Sequence, residues 1–372
     1  MRGNNVLGII FANADDRCIP EFTGIRSMAS VPFGGGYRLI DFTLSNMVSA
    51  GIGKVGVVTN NNYQSLMDHI SGGKPWDLSR KASGLYLLPP FTSDAAENYS
   101  ASRLGALKNI THFLIRSAQE YVLLTDCTYV TNIDFGKLFD YHEKKGFDMT
   151  LLYQHGTAPK LAVQPVFDKI EDGRITKMSL GDYTGGEVDY GVKALLMKKS
   201  LLERLIYESV AKGRDSFEQA FFLRNIDRLK IGAFKVDTFC PVIDSLESYF
   251  AANFALLEPE NYKALFGGAH PVYTKVYDDM PAVYGLESDV KNSLIADGCI
   301  IEGEVENSIL FRDCRVEKDA VVKNSIVMPG GFIGQGAMVN YCVTDKHVAV
   351  RGGKSLSGAD SFPVYIGKNI QI

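Results

Sequence analysis

The chain has 372 residues, of which 46% are hydrophobic and 22% are charged, and its formal net charge at pH 7 is -4. This length and apolar content exclude a disordered polypeptide and indicate two folded domains. The mild negative charge leaves no broad basic surface, which excludes nucleic acids and anionic membranes as general partners.

The six cysteines form no CxxC pair and no cluster with histidine at zinc-like spacing. They are Cys18, Cys127, Cys240, Cys299, Cys314 and Cys342. This scatter favours reduced thiols in a cytoplasmic protein. The apolar run of residues 6–12 has no basic start and is far shorter than the ~20 residues of a membrane span. We therefore interpret it as the first buried strand of a cytoplasmic protein.

Short apolar runs alternate with helical patterns in the first half of the chain. The predicted strands are residues 6–12, 54–59 and 121–125, and the predicted helices are residues 41–50, 102–116, 132–145 and 198–211. We expect Asn132 to cap the third helix and Gly146 to end it. The alternation predicts a Rossmann-like α/β domain with a mostly parallel sheet. Its ligands should lie beyond the carboxyl ends of the strands, next to Ala12 and Asp126.

A connector follows the α/β pattern. Residues 254–285 contain Pro259, Pro271 and Pro281 and show no sustained period of a helix or a strand. We therefore divide the chain into an α/β domain of residues 1–253, a connector of residues 254–285 and a C-terminal domain of residues 286–372.

The C-terminal domain carries a repeat in which single aliphatic residues recur at a spacing of six. The repeat positions are Ile295, Ile301, Leu310, Val316, Val322, Met328, Ile333 and Val339. This period excludes an α-helix and predicts a triangular coil in which each side is a short strand and each corner is a turn. The glycines that fit the corners are Gly298, Gly303, Gly330, Gly331, Gly334 and Gly336. The flat faces of such coils commonly bury against another subunit, so we expect oligomers.

The stretch VPFGGGYRLIDFTLSNMVSAGI, residues 31–52, is similar to the signature FGGxYRxIDFxLSNxxxxGI of the ADP-glucose pyrophosphorylases, or glucose-1-phosphate adenylyltransferases. Residues 189–197, 244–257 and 271–281 resemble later stretches of that family, in the same order. The resemblance implies a GT-A-like nucleotidyltransferase domain followed by a left-handed parallel β-helix of hexapeptide repeats. It also implies a reaction of glycogen biosynthesis, in which ATP and glucose-1-phosphate give ADP-glucose and pyrophosphate with Mg²⁺.

The phosphate loop of the family, AGGxGxRL, corresponds here to ANADDRC, residues 12–18, which is one residue shorter and has no glycine. The residues that replace the glycine amides around the triphosphate are Asn13, Ala14, Asp15 and Asp16. Each carboxylate would cost about 4 kcal/mol per unit of phosphate charge at about 4 Å and an effective dielectric of about 20. Arg17 is the one residue of this loop that retains the positive charge of the family motif.

Two lysines that contact phosphates in the family are missing. Met28 stands where the family motif AKP has its lysine, and Gly181 stands where the motif EKP has its lysine. Residues 101–109 (ASRLGALKN) correspond to GTADAxxQN and keep only the final asparagine. Arg26 and Arg38 are candidate anion or regulatory contacts, although a displaced guanidinium rarely reproduces the geometry of an ammonium group.

One of two metal-binding aspartates of the family is retained. Asp126 corresponds to the first aspartate, whereas Val242 falls on the second. Asp244 lies two residues further on, which is ~6.5 Å along an extended segment. A Mg²⁺ ligand must lie within ~2.1 Å of the ion, so Asp244 is too far away without a rearranged backbone. We expect no metal and no cofactor in this chain.

The loss of the glycine loop, two lysines and one aspartate removes most of the electrostatic stabilisation of the transition state. We therefore expect negligible adenylyltransferase activity from the chain alone. An intact fold signature with a lost site resembles the non-catalytic, regulatory subunits of the family. The resemblance implies a heterotetramer with a catalytic subunit of the GlgC type, which holds the Mg²⁺ and whose conformational equilibrium this chain shifts. A homo-oligomer is the expected form when the chain is alone.

Two alternative functions stay open. The chain could be a competent adenylyltransferase that uses Asp126 with unusual phosphate contacts, or a sugar or nucleotide sensing module without a catalytic partner. ADP-glucose formation by the isolated chain would identify the first, and a pull-down without a pyrophosphorylase partner would favour the second. An acyltransferase, which the hexapeptide coil also suggests, would need a histidine base, and only His347 lies in that region.

Overall fold

The computed structural model describes residues 2–80, 83–89, 102–161, 163–181, 183, 185–211, 216–268 and 270–372. Its N-terminal part contains a nine-stranded mixed sheet and a short hairpin formed by β2 and β3. The strands are β1 (Val6–Phe11), β2 (Pro32–Phe33), β3 (Tyr37–Arg38), β4 (Lys54–Val58), β5 (Gly84–Leu88), β6 (Tyr121–Asp126), β7 (Met149–Thr157), β8 (Pro165–Glu171), β9 (Arg174–Leu180), β10 (Glu187–Lys198) and β11 (Ile231–Lys235).

The strand order in the large sheet is β5-β4-β1-β6-β10-β7-β11-β9-β8. Strand β1 is parallel to β4 and β6, and β4 is parallel to β5. Strand β10 is antiparallel to both β6 and β7. The prediction of a mostly parallel sheet is therefore wrong for the half beyond β6, because the long strand β10 runs back between β6 and β7.

The sheet is covered by helices on both faces. Along β1, Val6 and Ile10 face one hydrophobic cluster, and Leu7 and Ile9 face the other. Burial on both sides explains why β1 is a continuous apolar run. The helices are α1 (Pro20–Thr23), α2 (Leu39–Ser49), α3 (Gln64–Ile70), α4 (Arg103–Asn109), α5 (Thr111–Ile115), α6 (Phe135–Lys145), α7 (Lys199–Ala211), α8 (Leu246–Phe254) and α9 (Pro259–Phe266).

The structure differs from the predictions at the helix of residues 102–116, at the predicted cap Asn132 and in the predicted connector. The predicted helix at residues 102–116 is divided into α4 and α5 at Ile110. Helix α6 ends at Gly146 as predicted, with a φ of 63°, but its N-cap is Asp134, whose carboxylate accepts from the Gly136 amide. The Asn132 side chain instead donates to the carbonyls of Leu265 and His270, at 2.9 and 2.8 Å. The third difference is α9, which lies inside the predicted connector.

The C-terminal part is a left-handed parallel β-helix of three five-stranded sheets, as the repeat and the family resemblance together predict. Successive coils pair in parallel, for example Ile301 with Val316 and Val316 with Ile333. The strands are β12 (Val283–Tyr284), β13 (Asp289–Lys291), β14 (Leu294–Ile295), β15 (Ile300–Ile301), β16 (Glu304–Glu306), β17 (Ile309–Leu310), β18 (Arg315–Val316), β19 (Val321–Lys323), β20 (Ile326–Val327), β21 (Phe332–Ile333), β22 (Met338–Asn340), β23 (Cys342–Thr344), β24 (Ala349–Val350), β25 (Ser355–Ser357) and β26 (Val364–Ile366).

One face of the β-helix packs against the α/β domain. Ile309, Ile326 and Val343 point outward from strands β17, β20 and β23, and all three are fully buried in the same cluster as Phe22 and Tyr249. This face therefore continues the core of the α/β domain, which joins the two domains through apolar contacts.

Candidate functional site

The candidate site lies where the sequence predicts it, at the carboxyl ends of β1 and β6. The loop of residues 12–18 follows β1, and Asp126 is the last residue of β6. Strand β10 brings Lys193 to the same place, and the start of α4 brings Arg103. Each element thus contributes at least one charged side chain to the cleft.

The polar groups of the loop after β1 bind one another and nearby backbone. The Asn13 amide donates to Asp16 Oδ2 at 2.7 Å, and its oxygen accepts from the Asn60 amide at 2.8 Å. The other oxygen of Asp16 accepts from the backbone N–H of Met28 at 2.8 Å, and the Met28 side chain is buried. The backbone N–H of Met28 is therefore already bound to a carboxylate of the protein.

Asp15 has a buried partner that was not identified from the sequence. Its carboxylate contacts Lys193 Nζ, and the two side chains are only 14% and 7% exposed. Asp15 adopts a left-handed φ of 58°, which an aspartate tolerates better than most residues. The one signal in the sequence was Lys193, which interrupts the apolar second half of DYGVKALLM. The sequence does not show which carboxylate this lysine contacts.

Burial raises the pKa of the Asp16 carboxyl to about 6. The hydrogen bonds from Asn13 and Met28 oppose this rise, whereas the negative charge of Asp15 adds to it. Because the folded state holds the proton more tightly than the unfolded state, this group stabilises the fold most below pH 4. The contribution is lost as the pH rises from about 4 to about 6.

We expect Asp16→Asn to remove this pH dependence. The quantity to compare is the free energy of unfolding of the variant minus that of the unmodified chain. This difference should rise by up to about 3 kcal/mol between pH 4 and pH 7, because the amide has no charge to desolvate. Urea unfolding at both pH values measures the difference. Asp360→Asn, on an exposed loop, is the control and should show no such rise. A difference between variant and parent that does not change with pH would contradict the assignment.

Asp126 is fully buried and both of its oxygens are engaged. Oδ1 accepts from the amide and the hydroxyl of Thr128, at 3.1 and 2.8 Å. Oδ2 contacts Nη2 of Arg103. The second guanidinium nitrogen of Arg103 lies 3.9 Å from Glu218 Oε1. Asp126 is therefore one member of a buried ion pair.

The residues present do not fit a Mg²⁺ ion. Val242, at the position of the second family aspartate, forms an antiparallel bridge with Tyr129. The Asp244 carboxylate accepts from the backbone N–H of Lys160 at 2.6 Å, so it serves as a backbone acceptor. Within the described ranges, no group of three or more His, Cys, Asp or Glu side chains could hold a metal.

The remaining positions of the predicted site lie in the loop after β1, follow β9 or are outside the described residues. Gly181 follows β9 with a φ of 146°. Its neighbour Asp182 and residue Ala101 are outside the described residues. Arg17 is exposed on the loop after β1. Ala14 lies in the same loop and packs against the cluster that contains Phe11.

Arg26 joins the two domains. It is 2% exposed, and its Nη2 donates to both oxygens of Asp345 in the β-helix, at 2.8 and 2.7 Å. The Tyr365 hydroxyl and the Lys346 amide also donate to Asp345, each at 2.7 Å. The guanidinium of Arg26 is thus bound to a protein carboxylate, which does not favour its predicted role as an anion contact.

Arg38 lies in a second, interdomain cavity of about 170 Å³. The cationic or basic side chains that line it are Arg38, His69, Arg312, Lys346 and His347. Arg38 donates to the Ser65 carbonyl at 2.6 Å, and burial lowers its pKa. Burial, with the charges of Arg38 and Arg26, lowers the pKa of Lys346 to about 7. Asp279 and Asp313 also line the cavity, and Arg312 lies 3.7 Å from Asp279. The excess of basic over acidic side chains favours the binding of an anion.

The described helices include none that is long and apolar enough to cross a membrane.

Comparison with known proteins identifies both parts of the chain. Residues 22–160 match the nucleotidyl transferase family model, and residues 281–361 match the GlmU-like C-terminal hexapeptide model. The glycogen biosynthesis protein GlgD of Bacillus subtilis is 32% identical over 371 residues, which covers 100% of this chain and 98% of that protein. GlgD of Geobacillus stearothermophilus is 36% identical over 86% of this chain and 83% of its own length. A glucose-1-phosphate adenylyltransferase of Clostridium acetobutylicum is 28% identical over 87% of this chain and 86% of its own length.

Proposed function

The chain belongs to the family of the GlgD glycogen biosynthesis proteins and glucose-1-phosphate adenylyltransferases, and we propose that it is a non-catalytic, regulatory subunit of that enzyme. The observation that carries the proposal is the state of Asp126, the one retained metal aspartate, which is paired with Arg103 and is fully buried. A carboxylate whose negative charge is balanced by a guanidinium no longer offers that charge to a metal–triphosphate complex. In this proposal the Mg²⁺ belongs to the catalytic partner, and both subunits work in the cytoplasm.

A surface suited to subunit contact lies at the first coil of the β-helix. Val276, Met280, Val283 and Leu286 are largely exposed, and Val283 pairs with the partly exposed Ile300 of the next coil. Strand β12 is the edge of its sheet. Clustered exposed apolar side chains beside an open strand edge are typical of protein interfaces. This supports assembly with a catalytic GlgC-type subunit, in a heterotetramer, or with further copies of the chain when it is alone.

The interdomain cavity supports a regulatory role. Arg38, Arg312 and Lys346 face it from both domains. An anion bound there would contact both domains at once, and would therefore favour one relative arrangement of them over another. The same cavity gives some support to the alternative of a sensing module that needs no catalytic partner.

The activity of the purified chain tests the proposal. With ATP, glucose-1-phosphate and Mg²⁺, the chain alone should form no more ADP-glucose than its Asp126→Asn variant. Mixed with a catalytic GlgC-type subunit, it should elute as one larger species in gel filtration and change the kcat or KM of that subunit. Turnover by the isolated chain that Asp126→Asn abolishes would instead identify a competent enzyme. Failure to bind any catalytic subunit would favour the sensing module.

A further inference from the structure

We infer that the guanidinium of Arg103 is a built-in substitute for the divalent cation at Asp126, and that this residue keeps metal–nucleotide complexes out of the cleft. The inference rests on the proposed function and deepens it, because it names the side chain that closes the site. The loss of family residues at other positions is expected to weaken the binding of phosphates. The guanidinium of Arg103, in addition, occupies the space next to the Asp126 carboxylate.

The contacts of Asp126 leave it no free oxygen. Its Oδ2 contacts Arg103 Nη2, and its Oδ1 accepts two hydrogen bonds from Thr128. A magnesium or manganese ion would need one of these oxygens at ~2.1 Å. Such an ion could bind only if the guanidinium moved away first.

Two carboxylates of the cleft, Asp126 and Asp15, each have a cationic partner within the protein. The carboxylates of Asp126, Glu218 and Asp15 face the cations Arg103 and Lys193. A buried carboxylate without a cation is strongly unfavourable, and in a metal-dependent site the ion supplies the compensating charge. Here arginine supplies that charge permanently, because a guanidinium is not deprotonated in proteins.

The position of Arg103 is held by its surroundings. Its guanidinium lies 5.5 Å from the ring centre of Phe11 and 5.9 Å from that of Phe217. Arg103 is the first residue of α4, and the hydroxyl of the preceding Ser102 caps this helix by accepting from the Gly105 amide at 3.0 Å. Aromatic contacts of this kind stabilise the cation and limit its rotamers.

A small cavity lies beside Arg103. The cavity that it lines with Lys193, Phe217 and Glu218 has a volume of about 20 Å³. This is room for about one water molecule and far below the volume of a nucleotide. In the family stretch GTADAxxQN, which resembles residues 101–109, an alanine stands at the position of Arg103. Arg103→Ala therefore restores the side chain of the family and removes the charge in one step.

Metal-dependent stability tests the inference without any measurement of turnover. Thermal unfolding is followed with Mn²⁺ alone and with EDTA, and bound Mn²⁺ is counted by electron paramagnetic resonance. We expect no saturable Mn²⁺ binding to the unmodified chain. Arg103→Ala leaves both Asp126 and Glu218 without the cation they face, so it should unfold at a lower temperature in EDTA. Mn²⁺ held by these two carboxylates and by water should restore much of the loss in a saturable manner. The matched control, Arg103→Lys, keeps a cation and should stay insensitive to Mn²⁺.

A second variant separates the metal site from general effects. The double variant Arg103→Ala with Asp126→Asn has neither charge, so it should fold and should not respond to Mn²⁺. Saturable Mn²⁺ binding to the unmodified chain that Asp126→Asn removes would overturn the inference. So would an Arg103→Ala variant that folds and ignores Mn²⁺. Turnover and complex formation test the proposed subunit role separately, so a failure of this inference can be distinguished from a failure of that role.

Discussion

Arg26→Ala is expected to destabilise the chain by about 3–5 kcal/mol, the cost of leaving one partner of a buried ion pair alone. Arg26 and Asp345 are fully or almost fully buried, and they are bound through both carboxylate oxygens. Without the guanidinium, Asp345 keeps only the hydrogen bonds from Tyr365 and its neighbour Lys346. Urea unfolding, followed by tryptophan fluorescence and by far-UV circular dichroism, measures the loss.

The control for this experiment removes both charges. Arg26→Met combined with Asp345→Asn should recover most of the loss, because an apolar side chain and a neutral amide replace an uncompensated buried charge. Arg17→Ala, on the exposed part of the loop, should change the free energy of unfolding by less than about 0.5 kcal/mol. If Arg26→Ala were as mild as Arg17→Ala, the pair would not hold the two domains together.

Two glycines of the β-helix are expected to differ strongly in how much stability their replacement by asparagine costs. At Gly303 a Cβ would lie 2.3 Å from the Ala320 carbonyl oxygen of the next coil, so any side chain must push the coils apart. At Gly336 no heavy atom of the described residues lies within 4 Å of a Cβ, but the φ is +67°. Gly303→Asn should therefore cost about 3 kcal/mol or more, at the upper end of overpacking effects.

Gly336→Asn is the matched comparison and should be almost neutral. Asparagine tolerates the left-handed region better than most residues, and Asn307 and Asn324 already adopt a φ of 44° at other corners of this β-helix. Gly336→Ala should cost about 1–2 kcal/mol, because alanine has no such tolerance. The shift of the thermal unfolding midpoint gives the order of the three variants. A larger loss at Gly336 than at Gly303 would mean that the left-handed backbone of Gly336, and not the contact of Gly303 with the next coil, decides the cost.

Most of the fold could be predicted from the sequence, because its strands and coils produce apolar patterns that extend over only a few neighbouring residues. The run Val6–Phe11 is apolar throughout because helices cover both faces of the sheet, and the spacing of six follows from strands that must each point one side chain into a narrow coil. Both signals need only neighbouring residues. The direction of β10 was not predicted, because a strand has the same pattern whichever way it runs.

The sequence also determined which groups of the family site are absent, since Met28 and Val242 can be compared with a motif position by position. Only the tertiary structure decided which charges replace them. Arg103 meets Asp126, Lys193 meets Asp15 and Arg26 meets Asp345, at separations of 23, 178 and 319 residues. The sequence does not show which distant residue a charged side chain will contact. The attraction between two charges depends on their separation and burial in the folded structure. Those are known only once the chain has folded.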